Sequence, residues 1–114
     1  MTDQSITRID DITLLPGRRD RFKERLLSEY VPWAASLGLG RVEVAYSPPV
    51  DLPDRETDVV LTWRLPDVDA FWGVRAAAMM NPGAASFWET TASLVTRRTR
   101  RYACASSQVT PLDD

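Results

Sequence analysis

The chain contains no histidine, and Cys104 is its single cysteine among 114 residues. The first absence removes the commonest general base near neutral pH and the commonest zinc or haem ligand. With only one thiol as well, a zinc site and a cysteine-histidine nucleophile lack their parts, and no internal disulfide can form. That usage accords with a reducing compartment. No apolar stretch approaches the roughly 20 residues that span a bilayer. The first residues show no basic segment leading into an apolar run with a cleavage site. The expectation is a cytoplasmic protein with no membrane partner. An excess of positive charge is missing too: 14 basic residues stand against 16 acidic ones, a formal charge of -2. Nucleic acid is therefore not an expected partner. Chemistry is left to carboxylates, arginines, tyrosines, hydroxyls and amides, or to a borrowed cofactor; the reading expects no metal and no resident cofactor.

What is present is ordinary for a globular protein, with 44% apolar and 26% charged residues. A chain of this length supports one core, so residues 1–114 read as a single domain, with its core at about 6–105 and a polar tail at 106–114. ITRIDDITLLPG, residues 6–17, has strand-like density and closes on the turn signal Pro16-Gly17. Ile6, Ile12 and Leu14 share one parity and Ile9 has the other, which admits a bulge at Asp10-Asp11. Phe22, Leu26, Tyr30, Trp33 and Leu37 then recur every three or four residues, the stripe of an amphipathic helix. Pro32 predicts a kink or break in it, and Gly38 and Gly40 end it.

Val42, Val44 and Tyr46 alternate with polar or small residues as a second strand. Three prolines keep residues 47–54 out of a sheet. TDVVLTWRLP supplies a third strand, and Asp67 suits the N-cap of a helix running to about Met80. Asn81-Pro82-Gly83 interrupts that helix, a second piece carries Phe87 and Trp88, and residues 96–105 form a last strand. The order is βαββαβ. Two crossover helices fit an α+β ferredoxin-like sandwich, a four-stranded antiparallel sheet covered on one face.

Three segments resemble a known family: LLPGRRDRF entering a helix, VVLTWRLPDVDAF entering the next, and VRAAAMMNPGAASFW followed by LVTRRTRRY. They are similar to the NIPSNAP group of the dimeric α/β-barrel superfamily, over roughly residues 6–105. The resemblance implies a homodimer in which two sheets pack by their uncovered faces into a dimeric α/β barrel. It also implies a choice of activities, since the superfamily holds cofactor-free monooxygenases of antibiotic biosynthesis, haem-degrading enzymes, cyclases, lactone isomerases and members without a known reaction. Haem-degrading members place a histidine on the iron, and this chain has none. No catalytic motif carries over.

Candidate site residues come from the chain itself. On a helical wheel Phe71, Trp72, Val74, Ala78 and Met79 share an arc, and Arg75 falls inside it. An unpaired buried guanidinium is very costly. Arg75 therefore snorkels to solvent, meets a carboxylate such as Asp10, Asp11 or one of a partner subunit, or faces a cavity for an anionic or oxygen-rich ligand. Trp63, Phe71, Trp72, Met79, Phe87 and Trp88 read either as core or as the wall of a pocket for a planar apolar molecule. Asn81 is a cap or turn residue, or an amide that orients a carbonyl. Asp10 or Asp11 is an exposed strand residue or a general base, and Tyr46 and Tyr102 are interface residues or proton donors to an enolate. Arg97, Arg98, Arg100 and Arg101 would divide between two faces of a strand, which breaks any continuous phosphate groove.

Two functions remain open on these grounds. One is a cofactor-independent enzyme, of cyclase, isomerase or monooxygenase type, acting on a small apolar, aromatic or polyketide-like substrate in bacterial specialised metabolism. Catalytic roles would fall to Arg75, Asp10, Asp11 and Tyr46, and substrate binding to Trp63, Phe71, Trp72, Met79, Asn81, Phe87 and Trp88. The other is a non-catalytic NIPSNAP-like dimer that binds a ligand or a protein partner.

Overall fold

A computed structural model describes residues 4–81 and 83–105; the tail at 106–114 lies outside the described residues, as does Pro82 of the expected helix break. The chain order is β1 (Ile6–Leu14), α1 (Arg19–Arg25), a π-helical turn (Leu26–Tyr30), α2 (Val31–Ser36), β2 (Val42–Ser47) and β3 (Thr57–Leu65). α3 (Val68–Met79), α4 (Gly83–Thr90), a 3-10 turn (Ala92–Leu94) and β4 (Val95–Cys104) follow. The sheet runs β2-β3-β1-β4 with every neighbouring pair antiparallel. This is the ferredoxin-like arrangement expected from the element order.

Period-2 patterning fixes which face meets the helices. In β3 the odd residues Thr57, Val59, Leu61, Trp63 and Leu65 are buried, while the even ones range from half-buried to exposed. In β1 the buried row is Arg8, Asp10, Ile12 and Leu14, with Thr13 also buried from the other face. Contrary to the expected bulge, β1 pairs without interruption through Asp10 and Asp11 on both sides. The register shifts instead at Thr13/Leu14, against β4. The parity that suggested a bulge belongs to a regular strand that carries two charged residues on its core face.

Phe22, Leu26, Tyr30 and Ala34 of the first helical stretch close over this face and are fully buried. Each large apolar side chain removed from water contributes about 1.5–3 kcal/mol. The irregularity expected at Pro32 sits just before it. Val31 N–H donates to the Leu26 carbonyl, five residues back, so the widened turn delivers the chain to a residue that has no N–H of its own. At the start of α3 the Asp67 carboxylate accepts from Ala70 N–H at 2.8 Å, the expected cap. Asn81 makes an Asx turn, its Oδ1 accepting from Gly83 N–H at 3.2 Å. No helix among the described residues is long and apolar enough to cross a membrane.

Candidate functional site

A closed ring of four polar side chains lies between the sheet and the helices. β1 places Arg8 and Asp10 two residues apart on the same face, and the β1–β4 register sets Arg100 opposite Asp10 and Tyr102 opposite Arg8. The π-helical turn delivers Tyr30 from above. Arg100 Nε donates to Asp10 Oδ1 at 2.6 Å, and Arg8 Nε lies 3.4 Å from Asp10 Oδ2. The second approach is an ion pair without hydrogen-bond alignment, because both atoms lack a hydrogen-bond partner among the described residues. The Tyr30 hydroxyl accepts from Arg8 Nη2 at 2.5 Å and from Arg100 Nη2 at 3.4 Å. Asp10 is 0% exposed, Tyr30 1% and Arg8 5%.

Two guanidiniums thus share one fully buried carboxylate, Arg8 from the interior and Arg100 from a partly exposed position, and burial of the carboxylate strengthens the charge interactions. Burial alone would lower the pKa of Arg100, but the charge and hydrogen bond of Asp10, aided by Tyr30 and Tyr102, outweigh it and hold that pKa up. One step along β4, Arg98 lies over the Trp88 ring at 4.0 Å from its centroid. Burial, followed by the like charge of Arg100, moves the Arg98 pKa down.

The ring opens toward α3. A cavity of about 110 Å³ is bounded by Arg8, Arg75, Arg100, Phe71 and Tyr102, with Leu39, Leu65, Val74 and Ala78 as its apolar lining. Beyond Phe71 and Tyr102, which border both spaces, a more apolar groove of about 300 Å³ runs past Ile6, Val68, Trp72 and Cys104. The two rings meet edge to face with centroids 4.9 Å apart. Arg75 is exposed at the cavity and has no hydrogen bond or ion pair among the described residues. Arg75 reaches solvent and borders the cavity, while Asp10 and Asp11 pair elsewhere.

The remaining candidates scatter. Asp11 points to the uncovered face and lies 3.6 Å from Arg101. Tyr46 is half-buried on edge strand β2 beneath Arg19, 5.4 Å from its ring centroid, and burial raises its pKa above the ordinary 10.0 despite that cation. Trp63 and Phe87 are core. Trp88 is half-buried against Phe22, Tyr30 and Phe87. Phe71 and Trp72 line the groove, Met79 is 83% exposed, and Asn81 turns the chain between α3 and α4. Trp33, Trp63 and Trp88 surround Tyr30 with centroids 5.6, 6.1 and 5.2 Å from it, and each buries an indole N–H without a partner among the described residues.

The sequence reading did not single out Arg8, Tyr30 or Arg100 as parts of a site. The available signal was the parity of Arg8 and Asp10, which match Ile6, Ile12 and Leu14. Among the described residues no group of three or more His, Cys, Asp or Glu side chains gathers to hold a metal.

A larger trough, about 590 Å³, crosses the uncovered face between Asp11, Thr13, Asp58, Arg97 and Thr99. Several of its polar groups already satisfy one another: Thr13 Oγ1 donates to Asp58 at 2.8 Å and accepts from Arg97 Nε at 3.2 Å. The smaller cavity under α3 holds, in Arg75, a charge with no hydrogen bond or ion pair among the described residues.

No family model matches the chain, and no curated protein does. Solved structures do match. A NIPSNAP-like domain protein from Burkholderia xenovorans is similar at TM-score 0.70 and 19% identity, over 97% of this chain and 93% of that one. A NIPSNAP family protein from Agrobacterium tumefaciens is similar at TM-score 0.67 and 14% identity, over 96% and 92%. The cofactor-independent oxygenase SnoaB from Streptomyces nogalater is similar at TM-score 0.65 and 18% identity, over 96% and 99%. At these identities the likeness is one of fold: the chain has the ferredoxin-like fold that the NIPSNAP proteins and the oxygenase share.

Proposed function

We propose that the protein is a cofactor-independent enzyme of cyclase, isomerase or monooxygenase type, acting on a small apolar, aromatic or polyketide-like molecule in bacterial specialised metabolism, and that it works as a homodimer. The observation that carries this reading is the cavity of about 110 Å³ bordered by three arginines, Arg8, Arg75 and Arg100, beside an apolar groove of about 300 Å³. Arginine is a fixed positive charge with a planar fork of donors. Set around a small space before any ligand arrives, such donors favour the state in which negative charge develops on oxygen.

All three reaction types share one step, transfer of a proton from an enolisable or phenolic substrate to a solvent water at the exposed side of the cavity, which leaves an enolate or phenolate whose acidity the surrounding arginines raise. Arg8 and Arg100 stabilise that oxyanion from the sheet side, and Arg75 stands across the cavity on the helix side. The Tyr102 hydroxyl stands within reach as a further donor. Asp10 does not border the cavity; it holds Arg8 and Arg100 in place and is a positioning residue. The apolar groove aligns the rest of the molecule and keeps water from the reacting atoms. The likeness in fold to a cofactor-independent oxygenase supports this reading, and the likeness to NIPSNAP proteins leaves the reaction type open among the three.

The test is turnover of a panel of phenols, hydroquinones and 1,3-dicarbonyl compounds by the purified protein in chelator-treated, flavin-free buffer, followed by oxygen uptake and product chromatography. The expected result is an acceleration over buffer of about 10²-fold or more for at least one enolisable substrate. Arg100→Gln should abolish most of it. Rates equal to buffer across the panel, with ligands still bound, would replace this reading with that of a non-catalytic binding protein.

A further inference from the structure

We propose that the substrate carries a permanent carboxylate beside its acidic hydroxyl, and that Arg75 is the residue that selects it. This inference rests on the reading of the cavity given above and names the chemical class of its ligand.

The argument begins with charge. Arg8, Arg75 and Arg100 all border the cavity, and among the described residues the only carboxylate in contact with any of them is Asp10. Three positive charges less one negative leave a surplus of two. A single developing oxyanion, shared by Arg8 and Arg100, answers one of them. Arg75 then remains without a partner among the described residues, although α3 holds it at the cavity wall. A second anionic group on the same ligand completes the balance.

Geometry narrows the class. A cavity of about 150 Å³ admits a benzene ring, so one of about 110 Å³ takes a smaller group of atoms and not a fused ring system. The ring body takes the 300 Å³ groove, where nearly all the lining is apolar, and this requires the touching Phe71 and Tyr102 rings between the two spaces to part. The ligand therefore presents its two oxygen functions together at one edge, with the aromatic body behind them. Arg75 approaches from α3 and Arg100 from β4, so a carboxylate adjacent to a hydroxyl meets one guanidinium with each function. A planar carboxylate matches the guanidinium fork with two parallel hydrogen bonds, which a lysine ammonium cannot reproduce. A neutral amide in the same position would leave Arg75 unanswered.

The experiment is calorimetric titration of the full chain with 1-hydroxy-2-naphthoate and with its neutral counterpart 1-hydroxy-2-naphthamide. Wild type is compared with Arg75→Gln and Arg75→Lys, and circular dichroism checks each fold. Because Arg75 is exposed and makes no internal bond, both variants should fold. The naphthoate should bind wild type about tenfold or more tightly than the amide, as expected for a hydrogen bond to a charged group. Arg75→Gln should shrink that preference to within about threefold, and Arg75→Lys should fall between. Equal binding of the two compounds to wild type would overturn this inference and leave the oxyanion reading standing, since that is judged by turnover of neutral enols. A preference that survives in Arg75→Gln would overturn the assignment to Arg75. Failure of both compounds to bind would overturn the ligand class, and the turnover panel would decide the wider reading separately.

Discussion

Removing the negative charge of Asp10 would leave Arg8 and Arg100 facing each other on one buried surface. Asp10→Asn keeps the shape and deletes the charge, so its cost isolates the electrostatic role. Breaking a buried pair by neutralising one partner costs several kcal/mol. The side chain of Arg100 is 35% exposed and can turn toward water, so the lower end applies, about 3 kcal/mol. Urea denaturation measures it; a loss below about 1 kcal/mol would mean that Tyr30 and solvent alone hold the two arginines. Tyr46 permits a test in pH. Burial, only partly offset by Arg19, raises its pKa above 10.0, so the fold favours the neutral phenol. Below pH 10 both folded and unfolded chains keep the proton, and the contribution is complete. Above it the unfolded chain loses its proton first, so stability falls as pH rises through the folded-state pKa. Tyr46→Phe should fall less steeply above pH 10 in denaturation midpoints. Parallel curves for the two proteins would remove Tyr46 as a cause.

At the scale of elements, helix packing rests on one close approach that no local pattern reveals. A Cβ at Gly83 would collide with the indole of Trp33, so α4 passes α2 at a distance only glycine allows. Gly83→Ala should cost about 1–3 kcal/mol by overpacking. It should also perturb the near-ultraviolet signal of the tryptophans around Tyr30; an unchanged signal and midpoint would show that α4 shifts freely. Element identities were legible in the sequence because they depend on neighbours: the Asp67 cap, the disturbance near Pro32 and the alternation of β3 are local facts. The inward face of α3 was legible only in part. The arc drawn from Phe71 to Met79 takes in Trp72 and Met79, yet these are 58% and 83% exposed, and only Val74 is buried. A wheel weighs every apolar residue equally, whereas α3 meets only a narrow strip of sheet, on β3 and where Phe71 touches Tyr102 of β4.

For the whole molecule, the decisive feature is the uncovered face of the sheet. It carries Ile9, Val60 and Thr62 in partial burial and Ala45 exposed, interspersed with Asp11, Asp58, Arg97 and Arg101. Charges of both signs around apolar residues let such a face complement a second copy of itself across a two-fold axis. Native mass spectrometry should give twice the chain mass, and Val60→Asp should give the single-chain mass with an unchanged circular dichroism spectrum. A wild-type monomer would sink the barrel assembly.

The sequence by itself determined the α+β class, the order βαββαβ, the ends of the helices and the absence of histidine chemistry. These follow from periodicity, capping and composition, which act over a few residues or over none. Tertiary structure alone decided that Arg8, Asp10, Tyr30 and Arg100 form one ring, in which the hydrogen-bonded Asp10 and Arg100 lie 90 residues apart. That grouping depends on the register between β1 and β4 and on where the widened turn sets Tyr30, and neither register nor crossing is written in any local pattern. It also decided the place of Arg75, whose charge among apolar residues was visible in the sequence but whose neighbours across the cavity were not.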